Sequence, residues 1–167
     1  MHPPDNLKMI APGVWVDPIL LAAAAPAVAT PPPGADDAMV LAEHHPMWDH
    51  ASGGDRNEQG RQWSIADLTE ANLTLAGISG KKSGVFFDLL LAQPGRLFSV
   101  EDIMAAAPTV FASAYSIAGS LNGFRKHTDR AERVYPFHWW EGDTHGTPTL
   151  YAIRPSVAAV FNAARNR

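Results

Sequence analysis

The sequence of 167 residues contains no cysteine. This absence excludes disulfide bonds, thiolate metal sites and a cysteine nucleophile. Charged residues are also few, at 18% of the chain, whereas apolar residues make up 46%. This balance is typical of a globular protein and argues against extensive disorder.

Long apolar runs are missing as well. The longest, residues 19–29, is about half of the roughly 20 residues that a membrane-spanning helix needs. The segment before it has Asp5 and Asp17 against the single Lys8, which is the wrong charge for the start of a secretory signal. We therefore expect a cytoplasmic protein that does not bind a membrane.

Catalytic motifs are absent from the sequence: it contains no phosphate-binding loop, no GxSxG and no HExxH. Asp36 and Asp37 lie in a proline-flanked loop, and Asp88 is explained by the exposed edge of an otherwise apolar helix. We therefore expect no enzymatic activity and no cofactor. A catalytic site assembled from distant segments stays open as an alternative.

One dense group of metal-ligating side chains occurs at residues 44–50, which contain three histidines and Asp49. Imidazole suits zinc, copper or nickel, and such a site would make the protein a metal-dependent enzyme. Pro46, however, breaks the helical spacing that two ligands one turn apart require. Downstream of this segment the histidines are isolated, at His127, His138 and His145. We therefore predict a polar loop around a buried Trp48, with no metal.

Residues 1–60 differ in composition from the remainder. Residues 1–61 hold eight acidic and three basic residues, whereas residues 62–167 hold nine acidic and ten basic residues. Proline and glycine interrupt the chain at 31–34, and Ser52–Asp55 reads as a loop or linker. Residues 13–19 look like a strand, and residues 36–43 could form one or two helical turns. We interpret residues 1–60 as an irregular arm that packs on the rest or on a partner, and residues 61–167 as a domain.

Residues 64–167 show a regular succession of elements. Ser64 and Asp67 form a capping box, and Ser99 caps a later helix. Leu97 and Phe98 are predicted to pair with a wing, and Pro155 suits the first turn of a closing helix. Helices are predicted at 64–76, 83–92, 99–107, 113–130 and from 155, and the strands of a hairpin at 134–140 and 149–153. This order predicts a mainly α fold with a small β-hairpin (α+β), namely a winged helix-turn-helix with an irregular N-terminal arm.

The helix at 113–130 has two distinct faces at 100° per residue. Its apolar side, predicted to be buried, contains Ala114, Ile117, Ala118, Leu121 and Phe124. The opposite side combines hydroxyl, amide and cationic groups with glycines, and Gly123 lies beside it. Asn and Arg read base edges, Lys and Tyr hold phosphates, and glycine permits close approach. With the tip of the hairpin, the predicted DNA-binding residues are Tyr115, Ser116, Gly119, Asn122, Arg125, Lys126, Arg130, Arg133, Thr144 and His145.

The C-terminal part of the chain also resembles an uncharacterised winged-helix-like domain family found in actinobacteria. The matching residues are Phe86–Leu90, Gln93–Gly95, Ile117–Leu121 and Pro136–Gly142, followed by Tyr151–Arg165. The resemblance covers about residues 86–165. It implies the winged-helix fold and nucleic-acid binding, and it brings no chemistry with it.

The leading hypothesis is a DNA-binding protein of bacterial type, either a transcriptional regulator or an accessory factor. Its partner is double-stranded DNA. Because residues 62–167 are nearly neutral, one copy is expected to bind DNA with modest affinity, and a homodimer on a pseudo-palindromic site would strengthen the binding. The alternative is a protein-interaction module, to which the acidic arm and the aromatic pair Trp139 and Trp140 would contribute. Lys81 and Lys82 either keep a loop soluble, the preferred interpretation, or contact a phosphate.

Overall fold

A computed structural model of the chain describes residues 8–11, 14–16, 39–53, 60–142 and 148–167. Near the N-terminus, strand β1 (Lys8–Ala11) pairs antiparallel with strand β2 (Val14–Val16). The strand predicted within residues 13–19 therefore exists as β2. Short 3-10 helices span Pro46–His50 and Ile65–Asp67.

Helices dominate the described part of the chain. They are α1 (Leu68–Ile78), α2 (Lys82–Ala92), α3 (Val100–Ala106), α4 (Ala114–Ala131) and α5 (Pro155–Arg165). Together with a small antiparallel sheet they confirm the predicted mainly helical α+β class. The helices predicted at 83–92, 99–107 and 113–130 each lie within one or two residues of the observed bounds.

Local capping explains where two of these segments begin. The backbone N–H of Asp102 donates to the Ser99 hydroxyl at 3.0 Å, and the Ser99 N–H donates to the Asp102 carboxylate at 2.8 Å. Ser64 and Asp67 form the same box ahead of α1. Both capping predictions are confirmed, because each box satisfies amides that have no partner within the helix.

Within the described residues, the sheet has four strands: β3 (Ser52–Gly53), β4 (Phe98–Ser99), β5 (His138–Trp140) and β6 (Leu150–Ala152). They lie in the order β3, β5, β6, β4, and all neighbours are antiparallel. Phe98 in β4 lies opposite Tyr151, so the predicted pairing of this short strand with the hairpin is confirmed. The first hairpin strand is shorter than predicted, because the Val134 N–H donates instead to the carbonyl of Arg61 at 3.1 Å.

The main core lies between the helices and one face of this sheet, and aromatic rings fill its centre. Phe87 packs edge to face on Phe124 at 5.2 Å between centroids and on Phe161 at 4.9 Å. Phe137 makes the same kind of contact with Phe86 at 5.2 Å and with Phe124 at 5.0 Å. Such pairs add about 0.5–1.5 kcal/mol each to the effect of burial, so this cluster fixes α2, α4 and α5 on the sheet.

A second core cluster holds residues 39–53 against the sheet. Trp48 is fully buried, as predicted, and its indole N–H donates to the Ala42 carbonyl at 2.9 Å. The Trp140 indole N–H donates to the Met47 carbonyl at 3.2 Å. The cluster consists of Leu41, Met47, Trp48 and Ala51 with Leu97, Trp140 and Ala152.

Backbone pairing reinforces this attachment and corrects one prediction. The Leu41 N–H donates to the Gly95 carbonyl at 2.7 Å, and Val40 forms a β-bridge with Arg96. Residues 39–43 are therefore not helical as predicted, because they pair with a second segment, and the remainder of the predicted turns, 36–38, lies outside the described residues. The Glu43 carboxylate also accepts from the Ser156 N–H at 2.8 Å and from the Ser156 hydroxyl at 2.6 Å, at the start of α5.

Candidate nucleic-acid interface

The orientation of α4 is fixed by four residues that face the core: Ile117, Ser120, Phe124 and Thr128. The two hydroxyl groups among them are satisfied within the helix. Ser120 donates to the Ile117 carbonyl at 2.6 Å, and Thr128 donates to the Arg125 carbonyl at 3.0 Å. Because these bonds remove the cost of burying a polar group, Ser and Thr can replace apolar residues on the inner face.

The predicted buried face is therefore wrong in part. Ile117 and Phe124 are buried, and Leu121 is half-buried, but Ala114 and Ala118 are exposed. A methyl group contributes little to burial, so the rings and the satisfied hydroxyls decide the rotation of the helix instead. The rotation leaves the polar side open.

The outward side of α4 forms a continuous exposed surface, which we call the α4 stripe. Tyr115 in this surface is 90% exposed. The predicted residue Ser116 lies beside the stripe, half-buried, and its hydroxyl donates to the Ser113 carbonyl at 2.7 Å. The stripe consists of Tyr115, Ala118, Gly119, Asn122, Arg125, Lys126, Asp129 and Arg130.

Arg133, predicted as a DNA-binding residue on the outward side of the helix, does not lie on this surface, so its predicted position is wrong. The helix ends at Ala131, and Glu132 turns the chain with a left-handed φ of 52°. Arg133 then points inward and forms an ion pair with Asp67 at 2.5 Å, with both side chains buried. The hydrogen bond from Arg133 lowers the pKa of Asp67 from 3.8 to about 2.

Two further predictions concern the hairpin. Thr144 and His145, at its tip, lie outside the described residues. Trp139 and Trp140 were expected to be exposed aromatics, but Trp139 is half-buried and Trp140 is buried in the second core cluster. The expectation fails because residues 39–53 cover this part of the sheet.

The two glycines of α4 have different surroundings. A Cβ atom at Gly123 would lie 2.4 Å from the Ser83 hydroxyl oxygen, so this glycine permits α2 to approach α4. A Cβ atom at Gly119 would meet nothing within 4 Å. The absence of a side chain at Gly119 therefore serves no contact within the described part of the chain.

Positive charge is concentrated at the C-terminal half of the α4 stripe. Arg125 lies 3.8 Å from Asp129, and both side chains are exposed, so this pair is weak. Within the described residues, Lys126 and Arg130 have no carboxylate partner. The stripe thus offers two unpaired cations and one screened ion pair along one side of a helix.

His127 lies behind these cations, between α4 and the end of α1. A Cβ atom at Gly77 would lie 2.0 Å from the imidazole Cε1, so the ring packs directly on the α1 backbone. Burial lowers the pKa of His127, and the positive charges of Arg130, Lys81 and Lys126 lower it further. The Lys81 ammonium donates to the carbonyl of Gly77, on which the His127 ring packs, so the α1–α2 turn brings the charge of Lys81 close to α4.

The histidine-rich segment has a structural role in its described geometry. His45 caps the 3-10 helix Pro46–His50 by accepting from the Met47 N–H at 3.1 Å through its Nδ1 atom. Among the residues that the structure describes, no three His, Asp or Glu side chains are grouped as metal ligands.

An open groove of about 520 Å³ lies between α1, α2 and α5, away from the α4 stripe. An exposed ion pair between Arg165 and Asp88 lies at its edge. Its remaining lining residues are Asn72, Leu75, Ala76, Ile78, Ser79, Gly80, Gly84 and Val85.

No helix in the described ranges is both long enough and apolar enough to cross a bilayer.

Comparisons with known proteins identify a family for the chain but no individual relative. Neither the curated proteins nor the solved structures include one that matches this chain. A family model matches residues 68–167, which begin at α1 and continue to the C-terminus, so the match leaves out residues 39–53. The chain belongs to the family described as "Family of unknown function (DUF6416)".

Proposed function

We propose that the chain is a winged-helix protein. The order α2, β4, α3, α4, β5, β6 places a helix–turn–helix pair directly before a β-hairpin. Strand β4, which precedes this helix pair, is hydrogen-bonded to β6, the second strand of the hairpin, so that the strand order within this unit is β5, β6, β4. In this arrangement α4 is the second helix of the helix-turn-helix pair, and it is therefore the candidate recognition helix.

From this we infer that the protein binds double-stranded DNA, with α4 in the major groove. The observation that carries the proposal is the α4 stripe, which is exposed along the whole helix and holds no ion pair with the rest of the described chain. An α-helix fits the major groove, where Asn122 and Arg125 have the donor and acceptor groups that read base edges. Lys126 and Arg130 are placed to neutralise phosphates.

The near-neutral net charge of residues 62–167 is compatible with this role if the cations that are not paired lie together on one face. Arg133 and Arg165 pair with carboxylates, so these pairs add little to the external field. Lys126 and Arg130, by contrast, lie together on the exposed side of α4. As a regulator, the protein would act as a homodimer, since two copies on a pseudo-palindromic site double the binding free energy that one α4 stripe contributes.

The test measures binding of the full chain to mixed-sequence duplexes of about 30 base pairs between 50 and 200 mM salt. Binding should weaken steeply with salt, because phosphate contacts release counterions. Lys126→Glu should weaken binding by tenfold or more. Arg167→Glu makes the same charge change at the end of the chain and should bind nearly as the unaltered protein does. The proposal fails if the unaltered protein does not bind duplex DNA, or if both variants lose affinity equally.

A second candidate is docking of another protein on the N-terminal half of α4. Tyr115 is almost fully exposed there, next to the small residues Ala114, Ala118 and Gly119. A tyrosine on a flat surface of small residues is a frequent centre of binding energy in protein interfaces. This reading predicts binding that is insensitive to salt, lost in Tyr115→Ala and kept in Lys126→Glu.

A further inference from the structure

The turn between α1 and α2 packs against α4 at two points that are one helical turn apart. On one side of the turn, Gly77 contacts the ring of His127. On the other side, the buried Ser83 approaches Gly123. Lys81 and Lys82 lie between these contacts and are both exposed. The turn therefore carries two exposed lysines beside the points at which it packs on α4.

These lysines join Lys126 and Arg130 to form what we call the cationic corner. The Lys81 ammonium donates to the Gly77 carbonyl at 2.6 Å, which holds it near α4. Within the described residues, none of the four side chains has a carboxylate partner. Like charges held together without counterions repel one another, so the corner favours an anionic partner.

The acidic groups nearby are paired in part. On α4, Asp129 lies against Arg125. The pKa of the buried Arg133 is raised by its hydrogen bond to Asp67 and, to a smaller extent, by the negative charges of Glu70 and Glu132. On α2, Asp88 pairs with Arg165. The corner is thus left with an excess of positive charge from two separate elements.

We propose that the cationic corner binds the backbone phosphates of the duplex that the α4 stripe contacts. This inference rests on the proposed function and extends its site to the α1–α2 turn. A helix in the major groove is flanked by a phosphate strand on each side, and contacts to such a strand fix register and orientation without reading sequence. Because the four cations come from two elements, they restrict how α4 rotates in the groove.

His127 provides an internal reporter for this contact. Its ring lies beside three of the four cations, whose charges disfavour the protonated imidazole. Phosphates at the corner would neutralise this repulsion, so the pKa of His127 should rise when a duplex binds.

The main experiment compares the salt dependence of duplex binding for matched double variants of the full chain. Lys81→Gln/Lys82→Gln should reduce the slope of log K against log salt by about two, at roughly 0.9 per phosphate contact. The charge-preserving Lys81→Arg/Lys82→Arg should keep the slope. Arg165→Gln/Arg167→Gln also removes two positive charges, but at the C-terminal end of the chain, and should leave the slope unchanged. Thermal unfolding of each variant checks that the fold is intact.

A second measurement follows the imidazole of His127 by NMR during pH titration. Its pKa should rise with the duplex bound and should stay low with inorganic phosphate at millimolar concentration. Binding by the unaltered protein with an unchanged slope in Lys81→Gln/Lys82→Gln overturns the inference and leaves the proposed function standing. The same rise with inorganic phosphate alone overturns it in favour of a free-anion site. Absence of any duplex binding overturns both.

Discussion

At the scale of single residues, the ion pair between Arg133 and Asp67 is buried, unlike the other ion pairs of the described residues. It joins positions 66 residues apart and connects the end of α4 to the start of α1. Asp67 also accepts from the Ser64 N–H at 2.8 Å, so one carboxylate closes a capping box and neutralises a buried cation. Removing either partner leaves a buried charge without compensation.

Arg133→Met is therefore expected to lower the free energy of unfolding by about 3–5 kcal/mol. Urea unfolding at pH 7 measures this loss. Arg133→Met/Asp67→Asn should recover part of it, because neither charge is then left alone. If Arg133→Met kept full stability and instead weakened duplex binding, the side chain would belong to the interface after all.

The same pair predicts how stability depends on pH. The pKa of Asp67 is about 2 in the folded protein, below the ordinary value of 3.8. A lowered carboxyl pKa contributes stability that is complete above about pH 4 and is lost as pH falls towards 2. The urea midpoint of the unaltered protein should fall across this window, and Arg133→Met should show a smaller fall. Equal falls in the two proteins would contradict this assignment.

At the scale of elements, α4 combines an inner face fixed by packing with an outer face that nothing in the described chain covers. Gly119 and Gly123 allow the two faces to be compared, because they lie one turn apart in the same helix, Gly119 on the outer face and Gly123 against α2. Glycine in a helix interior costs about 1 kcal/mol relative to alanine. The missing side chain at Gly123 makes room for Ser83, which offsets the destabilisation by glycine. At Gly119 no contact within the described residues offsets it.

Gly119→Ala should therefore stabilise the protein by about 1 kcal/mol, a rise in Tm of roughly 2–4 °C. Gly123→Ala is the matched control. Its methyl group would lie 2.4 Å from the Ser83 hydroxyl oxygen, so overpacking should cancel or exceed the gain. Calorimetry of both variants gives the comparison. A Gly119→Ala variant that is less stable than the unaltered protein would mean that α4 packs on something at this point.

The elements were predictable from the sequence where their signals are local. The box of Ser99 with Asp102 and the proline at 155 mark helix starts within a few residues. Arg133 was misplaced because the helical wheel was continued past Ala131, where Glu132 reverses the chain. The strand at 52–53 could not be found, since two residues carry no periodicity and their partner lies in β5.

The candidate site was predictable to a similar extent. Asn122, Lys126 and Arg130 lie on one exposed face because the 3.6-residue repeat holds within α4. For Lys81, the sequence left a phosphate contact as the less favoured interpretation. Its position beside α4 could not be predicted, since it depends on how α1 and α4 cross. That crossing is fixed by the contact of Gly77 with His127, which is a tertiary feature.

At the scale of the whole molecule, residues 39–53 and the family-matched region form one folded unit. The second core cluster combines Trp48 and Met47 with Trp140 from β5 and Leu97 beside β4. β3 also pairs with β5. The match to residues 68–167 therefore does not mark the limit of the folded structure.

A chain that begins at residue 61 should consequently be much less stable than the full chain. It loses the burial of Trp48, and replacing one buried tryptophan by alanine already costs about 3–5 kcal/mol. Urea unfolding followed by tryptophan fluorescence measures the difference. A chain that begins at residue 39 keeps the second core cluster and serves as the control. Equal stability of the chain from residue 61 and the full chain would show that residues 39–53 contribute nothing.

The hydrogen bonds from Ser156, at the start of α5, to the carboxylate of Glu43 bear on the order in which the chain folds during synthesis. Its partner Ser156 is 113 residues later in the chain, and the other partners of this segment lie near 96 and 139. At about 5–20 residues per second, the ribosome needs roughly ten seconds to supply that distance. Met47 and Trp48 therefore leave the ribosome well before the strands that cover them, and this part of the fold can close only after residue 156 has been synthesised.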